Sequence, residues 1–317
     1  MEETKRVFKR KIYDEMLRWK QSQEGKTALL IKGARRVGKS TIAEQFARNE
    51  YESHIIVDFA DAPDEVWEAV KHISNRDEFF MRLQFIYGVK LYERRSVVIF
   101  DEIQKCPEAR QAIKYLVKDH RYDYIEKGSL LSVNKNVQNI VIPCEETRIT
   151  MLPMDYEEFR WALKDSATIP LLRSAFEAFH SLGDAVNRKM LRDLRLYMLV
   201  GGMPQAVNTY IETNNLADVD STKRGIIELY IDDFQKIDPS GKVSRLFGAI
   251  PSQLSKNASR YQVTSVLGRS EDKDNMAELL KDLEESLAVL TLFPPKHFIV
   301  NLSPENSICF LHFSSKF

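Results

Sequence analysis

The chain has 317 residues, 44% hydrophobic and 29% charged, and its 46 basic and 46 acidic side chains give a formal net charge of zero. This length predicts two domains, and the charge balance argues against attraction of the whole molecule to nucleic acid or an anionic membrane, although a local basic patch stays open. The cysteines lack disulfide or zinc spacing, the N-terminus lacks a signal peptide, and no apolar run could span a bilayer. We therefore expect a cytoplasmic protein with no membrane contact.

The first half of the chain alternates between helical and strand patterns. Residues 7–20 carry apolar side chains at helical spacing and predict an amphipathic helix, whose basic positions are better explained by solvation than by nucleic-acid binding. Apolar runs of strand length follow, separated mostly by helical patterns, at residues 27–31, 53–59, 96–100, 122–126, 139–142 and 148–151. This alternation predicts an α/β fold with a parallel sheet and helices on both faces.

The pattern changes after residue 152. Residues 155–163, 170–182 and 184–199 have helical spacing, and further short helices follow residue 223 up to a helix at residues 275–287. A β-like run occupies residues 288–293. The second half is therefore predicted to be mainly helical.

A phosphate-binding loop is predicted between the first strand and the next helix, where the chain matches G-x-x-x-x-G-K-[ST]. Glycines let the backbone curl into a nest of N–H groups at a helix N-terminus, and such a nest binds phosphate oxygens. The alternative is a glycine-containing turn that binds nothing, which the strand before the loop and the helix after it disfavour. Lys39 would reach the β- and γ-phosphates, and Ser40 would ligate Mg²⁺. The pattern predicts binding of ATP with Mg²⁺. The predicted contact residues are Gly33, Ala34, Arg35, Arg36, Val37, Gly38, Lys39, Ser40 and Thr41.

An acidic pair ends the apolar strand at residues 97–100. Asp101 is predicted to hold Mg²⁺, directly or through water, and Glu102 to act as the general base toward the attacking water. Many buried strands end in an acidic turn, so the pair is informative because of its position, about sixty residues after the loop. The presence of Glu102 favours hydrolysis over binding alone. It also favours the P-loop proteins that have an extra strand between the two motifs.

Two further phosphate contacts are predicted on less evidence. Lys127 or Ser129, at the end of the fourth strand, is placed to sense the γ-phosphate, and an ordinary β-turn explains the same residues equally well. Arg148 is the first choice for a catalytic arginine, supplied in cis or by a neighbouring subunit, against the alternative of a surface arginine. Arg35 and Arg36 either contact phosphate or face solvent.

With these motifs in order, the chain resembles a family of prokaryotic AAA-type P-loop ATPases whose ATPase domain is joined to a C-terminal domain of unknown function. The resemblance also rests on Gly128-Ser129-Leu130-Leu131 and on residues 153–159, 200–207 and 250–254. It implies an ATPase core at residues 1–152, a helical region at 153–222, a winged-helix-like unit at 223–300 and an atypical tail at 301–317. The tail does not resemble the family's usual continuation, so we expect a C-terminally truncated member. Lys127 also departs from the family, which more often has a small hydroxyl residue there.

A winged-helix-like unit raises the possibility of DNA binding. The helix that would enter the groove, residues 274–287, carries five acidic side chains against Lys281 alone. Phosphate contacts need Lys or Arg, so DNA is a possible partner that this helix does not favour. We expect the unit to contact protein or to be structural.

Two functions of different class follow from these residues. The first is a Mg²⁺-dependent ATP hydrolase that acts as an AAA-type switch or motor on an unknown protein client. The second is a nucleotide-dependent module that binds protein or DNA with little or no turnover. A small-molecule kinase is a third, less favoured reading because the acidic pair is intact. An arginine supplied in trans would require a homo-oligomer.

Overall fold

A computed structural model describes residues 6–129, 145–255, 263–268, 299–303 and 307–311. The chain divides into two compact units, Met1–Leu152 and Pro153–Phe317. The predicted strand at residues 139–142, the acidic helix at 274–287 and the β-like run at 288–293 lie outside the described residues. In the part of the chain that is described, no helix is both long enough and apolar enough to cross a membrane.

The first unit contains a five-stranded parallel sheet in the order β2-β3-β4-β1-β5. Its strands are β1 Ala28–Gly33, β2 Ser53–Asp58, β3 Ser96–Asp101, β4 Asp123–Ser129 and β5 Glu146–Met151. Its helices are α1 Ile12–Gln23, α2 Lys39–Glu50, α3 Asp64–Lys71, α4 Arg76–Tyr87 and α5 Pro107–Lys118, with a 3-10 turn at Ile103–Lys105. The predicted α/β class and parallel sheet are confirmed. Strand β4 lies between β1 and β3, so the extra strand expected between the two motifs is present.

Apolar packing on both faces explains why these segments form strands. In β3 the residues from Ser96 to Phe100 are all buried, as a strand covered on both sides must be. On one face Phe100 and Tyr124 stack with their rings 6.5 Å apart and nearly parallel, within a cluster that also includes residues of α3, α4 and α5. Such packing supplies most of the folding free energy and holds the strand ends in fixed positions.

The second unit is mainly helical, as predicted. Its helices are α6 Tyr156–Ala162, α7 Thr168–Glu177, α8 Gly183–Val200, α9 Pro204–Thr213, α10 Leu216–Ile237, α11 Lys242–Ser255 and α12 Val263–Leu267. Two antiparallel strands, β6 Ile299–Ser303 and β7 Ser307–Leu311, follow. Asp155 and Glu158 form a reciprocal capping box that starts α6. The winged-helix-like unit stays a prediction, since its helix at residues 274–287 lies outside the described residues.

Candidate functional site

The loop between β1 and α2 has the backbone that its glycines predict. Gly38, with φ of 103°, caps α2 in the left-handed region, which glycine adopts without strain. Gly33 ends β1 so close to Met151 that an added Cβ would collide with the Met151 carbonyl oxygen and lie 3.2 Å from Val37. Position 33 therefore admits only glycine. The loop ends at the N-terminus of α2, where unpaired N–H groups attract anions.

Lys39 begins α2 and folds back over the loop. Its ammonium donates to the carbonyl oxygens of Gly33 at 2.8 Å and Ala34 at 2.9 Å. Burial lowers the pKa of Lys39 to about 8, against the opposing pull of the Glu102 and Asp101 carboxylates. An incoming phosphate would raise this pKa again, because an anion beside the ammonium stabilises its charged form.

The acidic pair at the end of β3 lies next to the start of α2, although β4 separates β3 from β1. The Ser40 hydroxyl lies 3.1 Å from Oδ2 of Asp101, and the other oxygen of Asp101 accepts the Glu102 backbone N–H at 3.0 Å. Glu102 has φ of 50°, a strained conformation for a non-glycine residue, and its carboxylate accepts from Gln104 at 2.5 Å. A hydroxyl and a carboxylate are the hard oxygen donors that Mg²⁺ prefers, so Ser40 and Asp101 fit that ion.

Lys127 also reaches the acidic pair. It is 1% exposed, and its ammonium lies 2.7 Å from Oδ2 of Asp101, the oxygen that also faces Ser40. Residues 127–129 belong to strand β4, so they do not form the β-turn that was the alternative interpretation. The Ser129 backbone pairs with Gly33 at the start of the loop. Both sensor candidates thus lie on the strand beside the loop.

Arg148 lies elsewhere. It sits in the middle of β5 opposite Leu30, and its guanidinium donates to Glu146 at 2.5 Å. Neighbouring residues along a strand point to opposite faces, and Lys127 is in register with Ile31, so Arg148 and Lys127 face opposite sides of the sheet. Lys39 interacts electrostatically with Lys127, which faces away from Arg148, and action of Arg148 on the γ-phosphate stays a prediction.

The remaining loop residues differ in exposure. Ala34 and Val37 are buried, Thr41 is half-buried, and Arg35 and Arg36 are exposed. Arg35 is near enough for its charge to oppose the protonated form of Lys39. Arg36 has φ of 65°, so the loop curls at this position as well as at Gly38.

Arg10 is a part of the site that the sequence interpretation missed. It is 6% exposed, and its guanidinium donates to the carbonyl oxygens of Val37 at 3.0 Å and Leu152 at 2.5 Å. The sequence shows only one basic residue among several near the first helix, where solvation was the simpler interpretation. In the structure Arg10 is a positioning residue, because its hydrogen bond to Val37 fixes the backbone of the loop.

A buried charge cluster lies on the opposite face of the sheet. Arg110 of α5 donates to Glu126 at 3.3 Å and to Glu146 at 3.0 Å, and all three are almost wholly buried. Burial, and next the Glu146 carboxylate, raise the pKa of Glu126 to about 8. The sequence interpretation missed this cluster, because nothing local to residues 110, 126 or 146 signals that they meet.

Comparisons with known proteins bear on the family and the fold. A family model for an AAA domain matches residues 25–160, and one for a domain of unknown function (DUF8612) matches residues 191–297. A search of the curated proteins finds no match. Among solved structures, the Walker-type ATPase PABY2304 of Pyrococcus abyssi is similar at 14% identity and a TM-score of 0.55, over 96% of this chain and 94% of that one. This likeness shows the fold alone.

Two other solved structures are less similar. The RuvB Holliday junction branch migration motor of Thermotoga maritima has a TM-score of 0.40 at 11% identity, covering 95% of this chain and 92% of that one. The Orc1 protein of Aeropyrum pernix in complex with DNA has a TM-score of 0.35 at 14% identity, covering 88% and 84%.

Proposed function

Since the chain belongs to the AAA-type P-loop ATPase family with a C-terminal domain of unknown function, we propose that it binds ATP with Mg²⁺ and hydrolyses it as a molecular switch or motor. One observation carries the proposal. Ser40, at the start of the helix that follows the loop, lies 3.1 Å from Asp101, the residue before Glu102. The phosphate-binding and acidic motifs, 61 residues apart in the chain, therefore form one site.

Each residue of this site has a distinct role in the proposal. The loop N–H groups and the α2 N-terminus bind phosphate oxygens, and Lys39 exchanges the Gly33 and Ala34 carbonyls for the β- and γ-phosphates. Ser40 and Asp101 hold Mg²⁺, which when bound neutralises phosphate charge. Glu102 accepts a proton from the attacking water, and its bond from Gln104 orients the carboxylate.

Glu102→Gln tests the hydrolysis. The amide keeps the size of the side chain and one oxygen that can accept from Gln104, but it cannot accept the proton, so phosphate release should fall by about 10²–10⁴-fold while ATP binding survives. Glu65→Gln, an exposed glutamate of α3, is the matched control and should leave the rate unchanged. A Glu102→Gln protein that hydrolyses ATP at the wild-type rate would refute the general-base assignment.

One observation favours a second function, nucleotide-dependent binding of a partner with little or no turnover. Lys127 pairs with Asp101 at 2.7 Å, so a cation already lies at the carboxylate that would hold Mg²⁺ for hydrolysis. A single-turnover rate compared with the ATP affinity separates the two functions. Tight binding with no phosphate release over many hours would favour the second.

The partners and location belong to the proposal as well. We expect a protein client in the cytoplasm, with DNA less favoured because of the acidic segment at residues 274–287. A salt-sensitive shift of duplex DNA that is lost when this segment is altered would reverse that order. The mass in solution, with and without a non-hydrolysable ATP analogue, tests whether nucleotide drives the formation of a homo-oligomer.

A further inference from the structure

We infer that the Lys127 ammonium is a built-in cation of the nucleotide site, which weakens the binding of Mg²⁺ at Asp101 and makes ATP binding nearly independent of Mg²⁺. The inference rests on the proposed function, since it concerns how the same site binds ATP. Its basis is the position of Lys127 beside the carboxylate that fits the metal.

Both carboxylate oxygens of Asp101 already have hydrogen-bond partners. Oδ1 accepts the Glu102 backbone N–H at 3.0 Å, and Oδ2 lies 3.1 Å from the Ser40 hydroxyl and 2.7 Å from the Lys127 ammonium. A carboxylate oxygen offers two lone pairs, and Oδ2 directs both to these partners. A metal ion that binds Oδ2 must displace at least one of them.

Lys127 is buried where it meets Asp101. Its side chain is 2% exposed in the ion pair, and Asp101 is 16% exposed. A buried ammonium that loses its carboxylate partner pays a large desolvation cost, because water cannot replace that partner. Displacement of Lys127 by Mg²⁺ is therefore opposed both by this cost and by repulsion between the two cations.

Lys127 also changes the charge balance of the site. Lys39 interacts electrostatically with Asp101, Glu102 and Lys127. These four groups are two cations and two carboxylates, and exposed Arg35 adds further positive charge nearby. Without Lys127, only Lys39 and the exposed Arg35 would face the two carboxylates, and the triphosphate would depend more on a bound metal. With Lys127 present, that dependence is smaller.

The test measures affinity rather than turnover. The dissociation constant of a non-hydrolysable ATP analogue is determined by calorimetry for the full chain, once with Mg²⁺ and once with a chelator. The wild-type constant should change by less than about threefold, whereas Lys127→Thr should bind at least about tenfold more tightly with Mg²⁺ than without it. Lys105→Thr removes one exposed positive charge close to the acidic pair and is the matched control, which should behave as wild type.

The outcomes separate the inference from the proposed function. Wild-type binding that requires Mg²⁺ would overturn the inference and leave ATP binding intact. Equal, weak Mg²⁺ dependence in wild type and Lys127→Thr would also overturn it, because Lys127 would not be the cause. Absence of analogue binding under both conditions would overturn the proposed function and the inference with it. The wild-type comparison needs no variant, so the inference remains falsifiable if Lys127→Thr fails to fold.

Discussion

The guanidinium of Arg10 donates a hydrogen bond to the carbonyl oxygen of Val37 at 3.0 Å, although 27 residues separate the two in the chain. The same group donates to Leu152, directly after the edge strand β5. One buried cation therefore connects the phosphate loop to the end of the sheet. The loop is held in its curled shape before any nucleotide arrives, which reduces the ordering that binding must supply.

Arg10→Ala should lower both stability and nucleotide affinity. The change removes two donors and leaves the carbonyl oxygens of Val37 and Leu152 without them, at a cost of about 1–3 kcal/mol in the free energy of unfolding. Urea unfolding and calorimetric titration with ATP measure the two effects. Arg18→Ala is the control, because Arg18 is exposed and, among the described residues, donates only within its own helix, to the carbonyl of Asp14. Equal behaviour of the two variants would contradict the positioning role.

Lys39→Met should abolish most of the ATP affinity while sparing the fold. The methionine keeps the length of the side chain but loses the charge-assisted bonds to phosphate, so the dissociation constant should rise by about 10–100-fold. Calorimetry measures the affinity and thermal unfolding checks the fold. Lys114→Met, on the exposed side of α5, is the matched control. If Lys39→Met bound ATP as tightly as this control, the loop would not be the phosphate site.

Glu126→Gln should flatten the dependence of stability on pH. Burial beside Glu146 raises the pKa of Glu126 from 4.5 to about 8, so the folded state binds a proton that the unfolded state releases. This contribution is fully present below the unfolded pKa of 4.5 and is lost as pH rises through about 8. Relative to the variant, wild type should therefore lose stability over this window, by at most about 1.4 kcal/mol per pH unit.

Urea unfolding between about pH 5 and about pH 9 measures this difference. Glu65→Gln removes an exposed carboxylate from the same unit and should leave the wild-type dependence unchanged. A Glu126→Gln curve parallel to that of wild type throughout would show that Glu126 is already ionised in the folded protein at low pH.

Gly202→Ala should destabilise the second unit. A Cβ at this position would collide with the Met154 carbonyl oxygen and lie 3.0 Å from the Met154 nitrogen, both backbone atoms that cannot rotate away. The expected cost is about 1–3 kcal/mol, measured as a lower unfolding midpoint. Gly225→Ala is the opposite control, since open space surrounds this helical position and alanine should stabilise it by about 0.5–1 kcal/mol. A Gly202→Ala protein as stable as wild type would mean that this close approach can relax.

Features that depend on short stretches of chain were predictable from the sequence. The strands before the loop and before Asp101 are continuous apolar runs, and the glycines at 33 and 38 occupy the two positions where the backbone requires them. The parallel sheet followed from the alternation of strands with helices. Periodicity and local backbone geometry depend on residues that are close together in the sequence, so no tertiary information was needed to predict them.

The tertiary structure alone decided which distant charges meet. The order β2-β3-β4-β1-β5 places Lys127 beside Asp101, 26 residues away in sequence, and brings Arg110 between two glutamates on the other face. Arg10 was expected to face solvent, but the tertiary structure buries it against the phosphate loop. The residues next to a lysine, glutamate or arginine do not indicate its partner, because a buried ion pair forms only when packing removes water from both groups at once.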